Sequence, residues 1–225
     1  MWRDEPTSGA APRMASLFVV TALLTATAVC AQSVEHEPER EHWQRIGEIF
    51  KAMEARPGSV VADVGAGDGF LTMRLSPLVG ETGRVYAVDI ADRPLERLRR
   101  RVGDAKLDNV KVIKGEADDP HLPAAQLDAV VILNAYHEMP RGDDVLRHIR
   151  ESLKPGGRLV IAEPSPAPGE ETRAAQIAKH HIASTFVAEE MVRAGFSIVE
   201  QRDGYAQIPD SNYYSLVVGR RPLEQ

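Results

Sequence analysis

Apolar residues along this chain fall into two alternating spacings. Over 41–55 they sit at Trp43, Ile46, Ile49, Phe50 and Met53, one stripe of a helix. Pro57-Gly58 ends it, because proline cannot continue a helix and glycine permits the turn. Residues 60–64 (Val-Val-Ala-Asp-Val) then form a short run between turn residues, as a strand buried on both faces requires. The alternation continues with a helix over 71–79, a strand over 84–89, a helix over 94–102 and a strand over 110–113. A strand over 127–133, a helix over 144–153, a loop at Pro155-Gly156-Gly157 and a strand over 158–162 follow. The last third predicts a helix over 185–194, then strands over 196–200 and 213–218 joined by a hairpin-like connection through Gly204 and Pro209. Strands alternating with helices imply βαβ units. The fold class is α/β: a doubly wound, Rossmann-like, mostly parallel seven-stranded sheet with an antiparallel C-terminal strand.

Composition narrows the class. The 225 residues suffice for one such domain, and 43% hydrophobic residues fill its core. A net charge of −6 argues against tight binding of duplex nucleic acid, which needs clustered cations, so no nucleic-acid partner is expected. The one basic run, Arg97 to Arg101, reads as a solvated helix face. With a single cysteine, Cys30, the chain forms no internal disulfide and holds no Cys-rich metal site. Residues Leu17 to Val29 are uncharged and follow Arg13, and Val29 and Ala31 occupy the −3 and −1 positions of a cleavage before Gln32. That run is short for a membrane span and fits a signal peptide over 1–31, leaving a domain over 32–225 that is exported. The alternatives are lipidation at Cys30, a retained anchor, or a cytoplasmic protein.

The strongest local signal is Asp63-Val64-Gly65-Ala66-Gly67-Asp68-Gly69, directly after the first strand and opening into a helix. Glycines there let the backbone approach a ligand where a Cβ would clash, at the edge where open α/β sheets bind ligands. A dinucleotide fingerprint would need glycine at 70, which is Phe70. The second strand ends in Asp89, a carboxylate able to accept hydrogen bonds from both ribose hydroxyls of an adenosine.

The pattern D-x-G-x-G-x-G followed by a strand-end acid resembles class I S-adenosylmethionine (SAM)-dependent methyltransferases. Gly115-Glu116-Ala117-Asp118 after the third strand, Leu127 to Val131 in the fourth and Leu153 to Leu159 before the fifth agree with it. Glu39 to Gln44 and Asn134-Ala135-Tyr136-His137-Glu138 are similar to a bacterial subgroup of that family in which signal-like leaders are frequent. The resemblance implies SAM as cofactor. It puts Gly65, Ala66 and Gly67, with Gly69 completing the turn, against the methionine part, and Asp63 near the amino group. Asp89 would hold the ribose, Ile90 one adenine face, and Glu116 with the backbone of Ala117 or Asp118 the adenine edge. Asn134 would face the methyl donor. A helix or lid over about 39–56, carrying His42 and Trp43, would close the N-terminal side.

Methyl transfer from a sulfonium is an in-line displacement in which the protein supplies binding, alignment and, where needed, a base. His137, after the fourth strand, is the first candidate for that base, with Glu138 and Glu163 weaker ones; the opposing reading is that Tyr136 and His137 only pack beside the cofactor. His180-His181 read as solvated or structural. Asn134-Ala135-Tyr136-His137 differs from the Asn/Asp-Pro-Pro-Tyr of nucleobase amino-methylating enzymes. No cysteine follows Ala31 for arsenite chemistry, and Asn134 with Glu163 falls short of a magnesium ligand set, so no metal is expected. The expectation is a methyltransferase acting on a small-molecule acceptor; a non-catalytic SAM- or nucleoside-binding protein is the alternative.

Overall fold

The computed structural model describes residues 37–166, 169, 172–207 and 213–223. The leader, Cys30 and Pro209 lie outside the described residues. Chain contacts divide after Arg40, and the unit from Glu41 to Gln225 carries the site. No helix among the described residues is long and apolar enough to cross a membrane.

Helix α1 (Glu37–Trp43) is followed by α2 (Ile46–Met53), β1 (Val60–Val64), α3 (Thr72–Val79), β2 (Arg84–Asp89), α4 (Asp92–Asp104), β3 (Val110–Lys114) and β4 (Leu127–Leu133). A 3-10 turn (Tyr136–Glu138), α5 (Gly142–Ser152), β5 (Leu153–Pro164), α6 (Arg173–Ile177), α7 (Ser184–Arg193), β6 (Ser197–Gln207) and β7 (Tyr213–Arg220) complete it. The seven strands lie in the order β3-β2-β1-β4-β5-β7-β6, and β7 runs opposite in direction to the other six.

The apolar runs of β1 and β4 are continuous because both sheet faces are covered. Val61 joins a layer with Ile49, Met53 and Leu75. Ala62 and Val64 join the opposite layer with Leu146, Ile149 and Met191. The buried stripe of α2 (Ile46, Ile49, Ala52, Met53) makes this segment part of the core. Strand order reverses between the paired strands β1 and β4, which opens a crevice beyond their C-terminal ends.

Three expectations need correction. The single helix over 41–55 is broken, with Arg45 in the left-handed region at φ 50° and the second piece ending at Met53. Tertiary hydrogen bonds hold the break: Arg45 Nη1 donates to the Tyr205 carbonyl at 2.8 Å, and buried Gln44 Nε2 donates to the Tyr214 hydroxyl at 3.3 Å. The Pro155-Gly156-Gly157 loop is a bulge inside β5, since Leu127 pairs with Leu153 and Ala129 next with Arg158. Gly204 is likewise in a bulge, not a turn, because β6 continues to Gln207 and its register with β7 jumps between Arg202 and Ala206.

Candidate active site

The glycine turn leaves β1 with the Gly65 and Ala66 amides both donating to the Val88 carbonyl at 2.9 Å. Its three glycines, all at positive φ, do different work. A Cβ on Gly65 (φ +78°) would meet the Ala135 Cβ at 2.4 Å, and one on Gly69 (φ +94°) would meet Leu98 Cδ1 at 2.4 Å. At Gly67 (φ +56°) a Cβ would meet nothing within 4 Å, so only this glycine turns to open space. The Gly67 amide donates to Asp89 Oδ2 at 2.8 Å, and Asp89 Oδ1 accepts from the Ala91 amide at 2.8 Å. Arg101, from the basic run, donates to the Asp68 carbonyl at 3.1 Å and braces the turn from α4.

These differences have a measurable consequence. Gly67→Ala is expected to cost about 1 kcal/mol, the strain of a left-handed alanine. Gly65→Ala adds to that an overpacking cost of about 1–3 kcal/mol, because a β-carbon cannot swing away from Ala135. Thermal denaturation should therefore rank Gly65→Ala well below Gly67→Ala; equal melting temperatures would refute the division of labour.

Beside the turn lies a mostly apolar pocket walled by Val64, Gly65, Val88, Asp89, Ile90, Glu116, Ala117, Pro120, Ala135, Glu138, Met139, Pro140 and Val145. Of the residues expected from sequence, Gly65, Asp89, Ile90, Glu116 and Ala117 meet here. Ile90 is 56% exposed, an apolar face without a cover. Asp118, Asp63, Ala66, Gly67, Gly69 and Asn134 are not in this wall. Asp118 pairs with Arg141. Asp63 is buried and accepts from the Thr72 hydroxyl at 2.6 Å, tying β1 to the first turn of α3. Asn134 is exposed at the end of β4, at φ 53°, with its amide donating to the Ala162 carbonyl at 2.8 Å. The walls from Pro120, Met139 and Pro140 had no signal in the sequence, being loop residues gathered by the fold.

The 3-10 turn after β4 is fastened from below by Glu163, at the end of β5 and 2% exposed. Its Oε1 accepts from the Ala135 and Tyr136 amides at 2.8 and 2.7 Å, and its Oε2 lies 2.6 Å from His137 Nδ1. Burial of His137 disfavours its charged form, but the hydrogen bond and charge of Glu163, with the charge of Glu138, raise its pKa above the ordinary histidine value. The Nδ1–Glu163 contact leaves Nε2 turned toward Glu138, 3.7 Å from its carboxylate. Tyr136 is wholly buried and donates to Glu190 Oε2 at 2.6 Å, while Arg173 Nε donates to Glu190 Oε1 at 2.5 Å. Burial and then Glu190 push the Tyr136 pKa far up, so its hydroxyl stays a donor. His181 is buried, whereas His180 is exposed and stacks edge-on to His137 at 5.7 Å. Trp43 packs on Tyr214 at 5.9 Å, and His42 is exposed.

An open α/β sheet whose first strand feeds a glycine turn bound to the acid of the second strand, beside an apolar slot, defines the class I SAM-dependent methyltransferase fold. Residues 61–157 match the family described as "Methyltransferase domain". The ubiquinone/menaquinone biosynthesis C-methyltransferase UbiE of Azotobacter vinelandii is 33% identical over 170 residues, spanning 75% of this chain and 64% of that relative. Among solved structures, a SAM-dependent methyltransferase from Aquifex aeolicus superposes with a TM-score of 0.69 at 23% identity, covering 81% of this chain and 93% of that one. A possible exported protein from Bordetella parapertussis superposes with a TM-score of 0.61 at 19% identity, over 82% and 67%. The chain has the class I SAM-dependent methyltransferase fold, with the methyltransferase-domain match over residues 61–157 and 64% of the Azotobacter relative's length spanned, and that fold implies SAM as cofactor. Its residues fit that molecule: Gly67 leaves a cradle a Cβ would fill, Asp89 offers a carboxylate, and Ile90 offers a bare apolar face.

Proposed function

We propose that this protein transfers a methyl group from SAM to a small-molecule acceptor whose reacting O–H or C–H must lose its proton. The observation that carries the cofactor half is the Asp89 carboxylate, bound to the Gly67 amide at the mouth of the slot beside exposed Ile90. Asp89 would receive the ribose hydroxyls, Ile90 would lie on one adenine face, and Glu116 with the backbone of Ala117 or Asp118 would reach its edge; Gly65, Ala66, Gly67 and Gly69 would pass the methionine part, Asp63 would fix the turn near its amino group, and Asn134 would face the methyl donor.

When bound, SAM supplies a sulfonium methyl already activated for displacement. The chain's own contribution is alignment and a proton acceptor. SAM held there would give up its methyl group by displacement and leave as S-adenosylhomocysteine, and His137 Nε2 would take the proton that the acceptor loses. Glu163 on Nδ1 holds the ring in the tautomer that presents Nε2 and steadies the imidazolium that results. The name of the Azotobacter relative, a C-methyltransferase, supports an acceptor of this kind.

Calorimetric titration of the full chain with SAM and with S-adenosylhomocysteine tests the reading, and is expected to show both binding at one site. Absence of binding in folded protein overturns it. His137→Gln is expected to lower kcat by about 10²–10⁴-fold, the worth of a general base. A loss under about threefold would remove that role. Binding without formation of S-adenosylhomocysteine from any acceptor would favour the non-catalytic alternative. The uncharged run 17–29 further supports an exported protein, tested by the mass of the mature N-terminus, which is expected to begin at Gln32.

A further inference from the structure

We infer that His137, Glu138 and His180 form a binding site for one divalent transition-metal ion, with zinc as the representative, at the rim of the cofactor pocket. One ligand atom from each of the three lies within 4.8 Å of the others. Glu138 Oε1 is 3.7 Å from His137 Nε2 and 3.5 Å from His180 Nδ1. Metal bonds of about 2.0–2.2 Å bring neighbouring ligand atoms to roughly 3–3.5 Å of one another, so exposed Glu138 and His180 need only close by small side-chain rotations.

Two further features are those of a metal ligand set. His137 offers one nitrogen only, because Nδ1 is engaged by buried Glu163 at 2.6 Å. A carboxylate behind a histidine is the usual arrangement that orients a ligating ring and raises its basicity. His180 is held at φ 59°, a left-handed conformation uncommon outside glycine and of the kind that gathers at ligand sites. Two imidazoles and one carboxylate suit zinc, cobalt or nickel, whereas magnesium and calcium take oxygen sets. Three protein ligands leave a coordination position open toward the pocket, whose wall includes Glu138.

The site bears on catalysis through one lone pair. The Nε2 electrons that would bind the metal are those that would accept the acceptor's proton, so an occupied site silences the base. This consequence rests on the proposed role of His137; the metal site does not.

The test is titration of the full chain, freed of metal by a chelator, with zinc alone and without SAM, followed by calorimetry and by the visible spectrum of cobalt. One ion per chain is expected, with affinity falling at least tenfold in Glu138→Gln and in His180→Gly; glycine keeps the backbone conformation at that position without steric cost. His121→Ala, which removes the separate contacts of His121 with Glu116 and Asp119, should leave the affinity unchanged. Zinc should also slow S-adenosylhomocysteine formation in the native chain and not in His180→Gly. Absence of zinc binding, or binding unaltered in Glu138→Gln and His180→Gly, overturns the inference while SAM titration still reports on the methyltransferase reading.

Discussion

Asp89→Ala is expected to weaken SAM binding by about 10²–10⁴-fold, the loss of two hydrogen bonds to a charged acceptor worth roughly 1.5–3 kcal/mol each. The same carboxylate also accepts from the Gly67 and Ala91 amides, so the variant should loosen the glycine turn as well as lose the ribose. Asp89→Asn separates the two effects. One oxygen still accepts, the turn is partly retained, and the affinity should fall by less than in the alanine variant. Titration of both with S-adenosylhomocysteine, beside their melting temperatures, is the measurement. Near-native affinity in Asp89→Ala would remove Asp89 from the cofactor site, whatever the stability.

The second large effect is on stability. Glu163→Ala is expected to cost about 3–5 kcal/mol, because it strands groups that a buried charge now satisfies. These are the Ala135 and Tyr136 amides and His137 Nδ1, all turned toward a carboxylate that is 2% exposed. With melting temperatures moving roughly 2–4 °C per kcal/mol at this chain length, the fall should be roughly 6–20 °C. Glu163→Gln keeps an acceptor for the two amides and should recover a large part of it. A fall of under about 2 °C in Glu163→Ala would mean that the turn after β4 is held by other contacts, chiefly Tyr136 and Glu190.

The cofactor half of the site was legible because its signals are local. A continuous apolar strand, a glycine turn and a strand-end acid occupy neighbouring positions along the chain, and their spacing already excluded a dinucleotide fingerprint. Gly65, Asp89, Ile90, Glu116 and Ala117 accordingly meet in one pocket. What the sequence hid depends on distant partners. Nothing near Gln44-Arg45 marks a break, since its hydrogen bonds come from β6 and β7. Gly204 reads as a turn from its neighbours alone, whereas β7 draws the strand past it. Glu163 was a weak candidate as an isolated acid, although a carboxylate closing an apolar strand is the same signal that singled out Asp89. His180 and His181 look alike in the sequence, but only His180 faces His137; His181 is buried.

The reversal of strand order between β1 and β4 also sets how much of the crevice the family match reaches. The apolar pocket is lined by the ends of β1 and β2 and by residues that follow β3 and β4, all within residues 61–157, the stretch that matches the methyltransferase family. Glu163 and His180, which attend His137, come from beyond it. The match to the family thus ends before the side chains that orient His137, and a relative's likeness over 61–157 speaks for the glycine turn and Asp89 while leaving the methyl acceptor to experiment.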